Sequence, residues 1–369
     1  MGSSQQFLAQ LGIRYPIIQA PMAGVSTPRL AAEVSNAGGL GSLGIGASSV
    51  AQARQMIEET RALTTRPFNV NVFCHAQAQR DQSREAAWLQ YLTPLFSEVG
   101  MEAPASLDEI YKSFLQDDEA FALLLELRPA VVSFHFGLPS IERIQTLRQA
   151  GIQTWATATS LGEARMIEQA GIDVIVAQGI EAGGHRGIFN PDTTDERLST
   201  LTLVRLLAKQ IQRPIIAAGG IMDGQGIQAA LDLGAAAAQL GTAFILCPES
   251  AANTGYREDL KSERAATTRL TSVLSGRPAR GLVNRLITYG EAAGSPPPAA
   301  YPVAYDAAKR LNAAAAKLGN HEFAAHWAGQ GAPLARELPA AELMRTLVEE
   351  CYRTEGDTHK RTTCDSGTH

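Results

Sequence analysis

With 369 residues, of which 45% are hydrophobic and 19% charged, the chain has ample apolar material for a sizeable core and does not read as a disordered polymer. A formal net charge of −5, with no basic cluster beyond His359-Lys360-Arg361, argues against a nucleic-acid surface, and no apolar run approaches the ~20 residues that span a bilayer. The opening residues lack the regions of a signal peptide, Gln6 stands where a myristoylation signal needs Ser or Thr, and four scattered cysteines without a CxxC point to a reducing, cytoplasmic setting.

In chain order, short apolar runs suited to buried strands fall at Ile17–Ala20, Leu40–Leu43, Phe68–Val72, Val131–Phe134, Thr154–Thr157, Val174–Ala177, Ile215–Ala218 and Ala237–Leu240. Helix-like runs separate them at Pro28–Ala37, Val50–Thr64, Glu119–Leu127, Ser140–Ala150, Leu161–Ala170, Leu201–Gln210 and Asp223–Leu233, several ending on a glycine. Eight strands alternating with helices predict an α/β fold, a closed (β/α)8 TIM barrel in preference to an open doubly wound sheet. Two stretches break the repeat. Residues 75–118, polar and helix-prone, read as an insertion after the third strand. Beyond Thr242 no strand signal appears, so 246–353 is expected to be a helical lobe over the barrel mouth, followed by a flexible tail at 354–369. The barrel itself would span 1–245.

If the barrel is right, its chemistry sits where the strands end. Gln19-Ala20-Pro21-Met22-Ala23-Gly24 closes the first strand with a loop that either presses main chain and a soft side chain on a flat ring or simply turns into the next helix. Asn71 and Gln178 are strand-end amides, able to match the mixed donor and acceptor edge of a heterocycle or to cap a neighbouring loop. His135, between two phenylalanines, is a candidate base or charge stabiliser; a satisfied structural histidine is the alternative. Gly179–Gly187 is a glycine-rich loop carrying a second candidate, His185.

Gly219-Gly220 and Gly241-Thr242 lie one βα unit apart, after the last two strands. Free N–H groups there make a phosphate site the better reading over two plain turns. Tyr301, Tyr305 and Lys309 recur every four residues, aligned on one face if that stretch is helical, which is also what any amphipathic helix would do. Gly39-Leu-Gly-Ser-Leu-Gly44 matches GxGxxG in letters only: the glycines surround a strand instead of following it, and Glu59 falls inside a helix, so no dinucleotide site is expected. No metal-ligand spacing occurs.

The segments QAPMAG, NVNVF, SFHFG, GIEAGGHRG, AAGGI, QLGTAF and YPVAY…K…WAGQG, in this order along almost the whole chain, resemble the nitronate monooxygenase (2-nitropropane dioxygenase) family, and SFHFG with YPVAY–WAGQG resembles its bacterial class I. The resemblance implies FMN bound by Ala20, Pro21, Met22, Asn71, Gln178, Gly183, Gly219, Gly220, Gln239, Leu240, Gly241 and Thr242. It implies His135 as the catalytic histidine, and Tyr111, His185, Tyr301, Tyr305 and Lys309 around the substrate, Tyr111 carrying the weakest match. The reaction implied is oxidation of an alkyl nitronate, through an anionic flavin semiquinone and with dioxygen, to a carbonyl compound and nitrite. The Lys309 and tyrosine face would suit a carboxylated nitronate such as propionate 3-nitronate. The partners are these small molecules, with no nucleic acid and no membrane, and the protein is taken as a monomer or homodimer. The competing readings are an NAD(P)H:quinone or enoyl-thioester reductase on the same scaffold, a non-catalytic flavin- or phosphate-binding barrel, and a phosphosugar enzyme, which would want a strand-end Glu or Lys better than Glu181.

Overall fold

Strand–helix alternation with strands buried on both faces is satisfied by an open doubly wound sheet or by a sheet closed on itself, and closure leaves no unpaired edge. The computed structural model describes residues 3–353 and has the closed sheet. Eight parallel strands, Ile17–Gln19, Gly41–Gly44, Phe68–Phe73, Val131–His135, Gln153–Ala158, Val174–Gln178, Ile215–Ala218 and Ala237–Leu240, run side by side, the first beside the eighth. A parallel bridge between Ile18 and Leu40 closes the ring: the Gln19 N–H donates to the Leu40 carbonyl (2.9 Å) and the Leu40 N–H to the Ile17 carbonyl (3.0 Å). The expected tail, with Cys364 and His359-Lys360-Arg361, lies outside the described residues, as do Met1 and Gly2.

All seven expected helices between strands form, within a residue of their predicted ends. Their starts are set by local chemistry, since Thr27, Ser49, Ser140, Ser160, Ser199 and Asp223 each accept a first-turn N–H at the N-cap. The GxGxxG segment has a packing role. A Cβ on Gly41 would lie 1.9 Å from the Ala31 carbonyl oxygen, so the glycine lets the helix Pro28–Asn36 press on the second strand.

Three features depart from the predicted layout. An N-terminal helix, Ser3–Leu11, brings Phe7 and Leu11 against Trp155, Val174 and Ile216 and plugs the N-terminal end of the barrel. The last helix, Ala340–Arg353, expected in the lobe, packs instead among the barrel helices. Leu343, Met344, Leu347 and Cys351 join the core that contains Leu30, Val34 and Ile227, and Gly224 donates its N–H to Glu350. It fills the place an eighth outer helix would take.

The lobe is also not purely helical. Thr268–Thr271 and Ala279–Leu282 form an antiparallel pair to which Gly184–His185 adds a third strand. Neither segment has the run of β-branched residues by which a strand is recognised in sequence, and their pairing with each other supplies the order.

The insertion packs against the lobe and reaches the barrel mouth itself through Tyr111. Trp88, Leu89, Leu92 and Phe96 of the helix Gln82–Glu98 share a core with Leu274, Leu286, Val303, Ala307 and Leu311. No helix among the described residues is long and apolar enough to cross a membrane.

Candidate active site

A cavity of about 340 Å³ opens at the C-terminal ends of the strands, beneath the lobe. Every residue expected at the cofactor lines it except Leu240. Alternation along the eighth strand accounts for the exception: Gln239 faces the cavity, while Leu240 is buried in the outer core with Ile227 and Met344. Of the expected substrate residues, Tyr111, His185, Tyr305 and Lys309 line the cavity; Tyr301 stands one layer behind, its ring 5.4 Å from those of His185 and Phe136 and its buried hydroxyl without a hydrogen-bond partner among the described residues.

Two walls face each other across this space. On one, the N–H groups of Gly219, Gly220, Gly241 and Thr242 meet no protein acceptor among the described residues. Gly219 and Gly220 have φ of 124° and 72°, in the left-handed region that favours glycine, and a Cβ on Gly219 would meet the Thr200 hydroxyl at 2.8 Å. This cradle of free donors fits a phosphate monoester such as that of FMN. Thr242 is tied down by the Gly329 N–H, which donates to its hydroxyl at 3.0 Å. Met22 and its loop are held by Ser26, whose hydroxyl accepts from the Met22 N–H (2.9 Å) and the Gln19 side chain (2.9 Å).

The other wall carries His135, at the end of the fourth strand. Its Nε2 lies 3.1 Å from the His185 carbonyl oxygen and its Nδ1 3.1 Å from the Thr157 hydroxyl. Gln178 is drawn into the same network. Its Oε1 accepts the Gly187 N–H at 2.7 Å, which leaves its Nε2 to donate to the His185 carbonyl at 3.0 Å. Asn71 donates to the hydroxyl (2.9 Å) and carbonyl (3.1 Å) of Ser133, which keeps its own oxygen for the cavity it lines.

Burial dominates the electrostatics here. It lowers the His135 pKa to about 4, with Arg277 and Arg186 adding to the effect and the His185 carbonyl opposing it. His185 is pushed down to about 3 by burial and by the nearby His135, Arg277 and His75. Both imidazoles are therefore neutral near pH 7. His185 Nε2 sits 2.9 Å from the Ser275 hydroxyl, which itself donates to the Arg277 carbonyl (3.1 Å), so His185 carries its proton on Nε2.

Beneath both rings lies Phe136, a non-glycine residue at φ 75°, with the buried guanidinium of Arg277 4.3 Å from its ring centroid. On the lobe side, Lys309 holds its ammonium 4.8 Å from the Tyr111 ring centroid and 5.2 Å from that of Tyr305, with no ion pair among the described residues. Burial lowers its pKa and raises those of the Tyr111 and Tyr305 hydroxyls, the latter to about 12.

Thr157, Ser133 and Trp327 also line the cavity, though sequence reasoning gave them no role and held Ser133 and Trp327 only within the segments SFHFG and WAGQG. The first two are strand-end hydroxyls, and the rule that drew attention to Asn71 and Gln178 applies to them equally. Glu181 is no base: both of its oxygens take the Thr200 N–H, and one also takes its hydroxyl (2.8 Å), ahead of the helix Thr200–Gln210. Among the described residues no group of three or more His, Cys, Asp or Glu is placed to hold a metal ion, and the buried Cys74, Cys247 and Cys351 form no disulfide there.

Known proteins resemble the chain over nearly its whole length. The sequence profile described as nitronate monooxygenase matches residues 5–350. Proteins named nitronate monooxygenase from Pseudomonas aeruginosa and Paraburkholderia phytofirmans are each 59% identical, over 94% and 93% of this chain and 99% and 94% of their own lengths. Among solved structures, a nitroalkane oxidase from Streptomyces ansochromogenes superposes with a TM-score of 0.85 at 40% identity, covering 96% of this chain and 99% of its own.

Proposed function

The chain belongs to the nitronate monooxygenase family of flavin-dependent oxidoreductases, and from that premise we propose that it binds FMN and oxidises alkyl nitronates with dioxygen to a carbonyl compound and nitrite. The observation that carries the reading is the cavity with two unlike walls, a glycine cradle of free N–H donors on one side and the His135 network on the other. FMN, when bound, supplies the acceptor for an electron from the nitronate.

The remaining steps fall to the chain's own residues. Gly219, Gly220, Gly241 and Thr242 take the phosphate, and the Ala20–Met22 loop, Asn71, Gln178, Gly183 and Gln239 surround the ring system. His135, neutral at physiological pH, lines the cavity and would face a bound nitronate there. Lys309, Tyr305 and Tyr111 offer one cation and two hydroxyl-bearing rings, a set that supports a substrate with a distal carboxylate such as propionate 3-nitronate. The lobe shields the site from bulk water. We take the enzyme as a cytoplasmic monomer or homodimer, which light scattering on the purified protein decides.

Anaerobic addition of an alkyl nitronate to the purified yellow protein is expected to change its visible absorption. Admission of air should restore the spectrum and release nitrite. Flavin that ignores nitronates but bleaches with NAD(P)H overturns this in favour of a reductase, and colourless protein removes the cofactor.

A further inference from the structure

The two contacts of His135 define its proton inventory. A carbonyl oxygen can only accept, so the nitrogen facing His185 O, Nε2, carries the hydrogen of the neutral ring. The single lone pair of that ring is then on Nδ1, 3.1 Å from the Thr157 Oγ1, and the hydroxyl donates to it. Turning the ring by half a rotation would set carbon atoms against both partners and lose both bonds.

The loop holding the carbonyl is itself fixed in one sense. The Gly187 N–H must donate, so Gln178 Oε1 accepts and its amide nitrogen joins His135 on the His185 carbonyl. A Cβ on Gly187 would lie 2.6 Å from Thr157 Cγ2 and 3.0 Å from His135 Cε1, so this glycine lets the loop clamp the imidazole and the threonine together.

We propose that Thr157 is a positioning residue for His135: its hydroxyl, on the neighbouring strand and lining the same cavity, sets the rotation of the imidazole and holds the one lone pair the neutral ring possesses. When His135 takes up a proton, an N–H bond forms at Nδ1 and the Thr157 hydroxyl turns from donor to acceptor. The imidazolium then has both N–H groups bonded, one to Thr157 and one to the His185 carbonyl. The groups bearing on this equilibrium are Arg277, Arg186 and the His185 ring, and the rings of Phe73 and Phe136 pack on the imidazole. None of them accepts a hydrogen bond from Nδ1 in place of Thr157. That this matters for turnover rests on the reading of His135 as the catalytic histidine; that the contact exists and sets the tautomer does not.

The test is nitrogen-15 spectroscopy of histidine-labelled, flavin-loaded protein across a pH series, with Thr157→Val and Thr157→Ser beside the wild type. Wild-type His135 is expected to show a protonated Nε2 and an unprotonated, hydrogen-bonded Nδ1. A bond to the charged ring is stronger than one to the neutral ring, so Thr157→Val lowers the His135 pKa by about one unit, and Thr157→Ser restores it. In turnover of an alkyl nitronate, Thr157→Val loses on the order of tenfold, in kcat more than in KM, with Thr157→Ser near wild type.

A wild-type spectrum with the proton on Nδ1 overturns the proposal even if no variant folds. So does a Thr157→Val protein that titrates and turns over as wild type does, or a Thr157→Ser protein as impaired as Thr157→Val. A spectrum as expected from a protein that ignores nitronates would instead count against the enzymatic reading and leave the Thr157 contact standing.

Discussion

The ammonium of Lys309 lies 4.8 Å from the centroid of the Tyr111 ring, in the cavity wall, and forms no ion pair among the described residues. The ammonium stacks over two rings, with Asp306 one turn earlier on the same helix, and an incoming anion at the cavity would gain a direct charge partner. Lys309→Met is accordingly expected to lower kcat/KM for propionate 3-nitronate by roughly 10- to 100-fold, the worth of one charge-assisted contact. Uncharged alkyl nitronates should change less than about threefold on the same scale. Equal losses on both substrate types would show that Lys309 does not read the carboxylate.

The glycine cradle makes a prediction about the cofactor that is independent of turnover. At Gly219, φ of 124° and a Thr200 hydroxyl 2.8 Å from any added Cβ leave no room for a side chain. Gly219→Ala should therefore purify with a much smaller flavin-to-protein absorbance ratio, while far-ultraviolet circular dichroism still reports the barrel. Full flavin occupancy in this variant would locate the phosphate elsewhere.

Acid should weaken the fold before the carboxylates titrate. His135 and His75, each lowered to about 4, and His185, lowered to about 3, are mainly shifted by burial. Unfolded, each takes up its proton near pH 6.5, as ordinary histidines do. Between that pH and the folded values the unfolded state binds more protons, so stability falls as pH falls, by at most about 1.4 kcal/mol per pH unit for each histidine. The melting temperature should decline gently below about pH 7.5, steeply between about 6.5 and 5, and these histidines should leave it level above about 7.5. A flat profile between pH 6.5 and 5 would mean these rings are hydrated and titrate normally.

Gly41→Ala separates packing from ligand binding in the GxGxxG segment. The added methyl would lie 1.9 Å from the Ala31 backbone oxygen, so helix and strand must part. A loss of about 2 kcal/mol or more, read from urea unfolding, is expected in the range of overpacked cores. A stable variant with weakened cofactor binding would reopen a nucleotide role for these glycines.

Much of the architecture was readable from short-range pattern. Buried strands are continuous apolar runs, helices begin at a Ser, Thr or Asp that caps them, and glycine marks their ends, so the barrel strands and the helices between them came out within a residue or two. The strand-end rule then named His135, Asn71, Gln178 and the two glycine pairs without any knowledge of distance. Each of these signals is carried by residues close together in the chain.

What tertiary structure alone decided is long-range. Ala340–Arg353 reads as an amphipathic helix wherever it docks, and only the gap left by the missing eighth helix places it against the barrel. Thr268–Thr271 and Ala279–Leu282 become strands by pairing with each other, and Gly184–His185, far back in the chain, joins the edge of the second. Tyr301 has the four-residue spacing of Tyr305 and Lys309 yet ends behind the cavity wall, because Pro302 and not Tyr301 caps the helix that begins at Val303. Thr157 carries no motif of its own; its importance comes from lying one strand over from His135 with the Gly187 loop pressed on both. Local sequence determines which elements form and where they stop, since capping, periodicity and backbone freedom act over a few residues. Which side chains meet is set by how the closed barrel brings distant strand ends to one mouth.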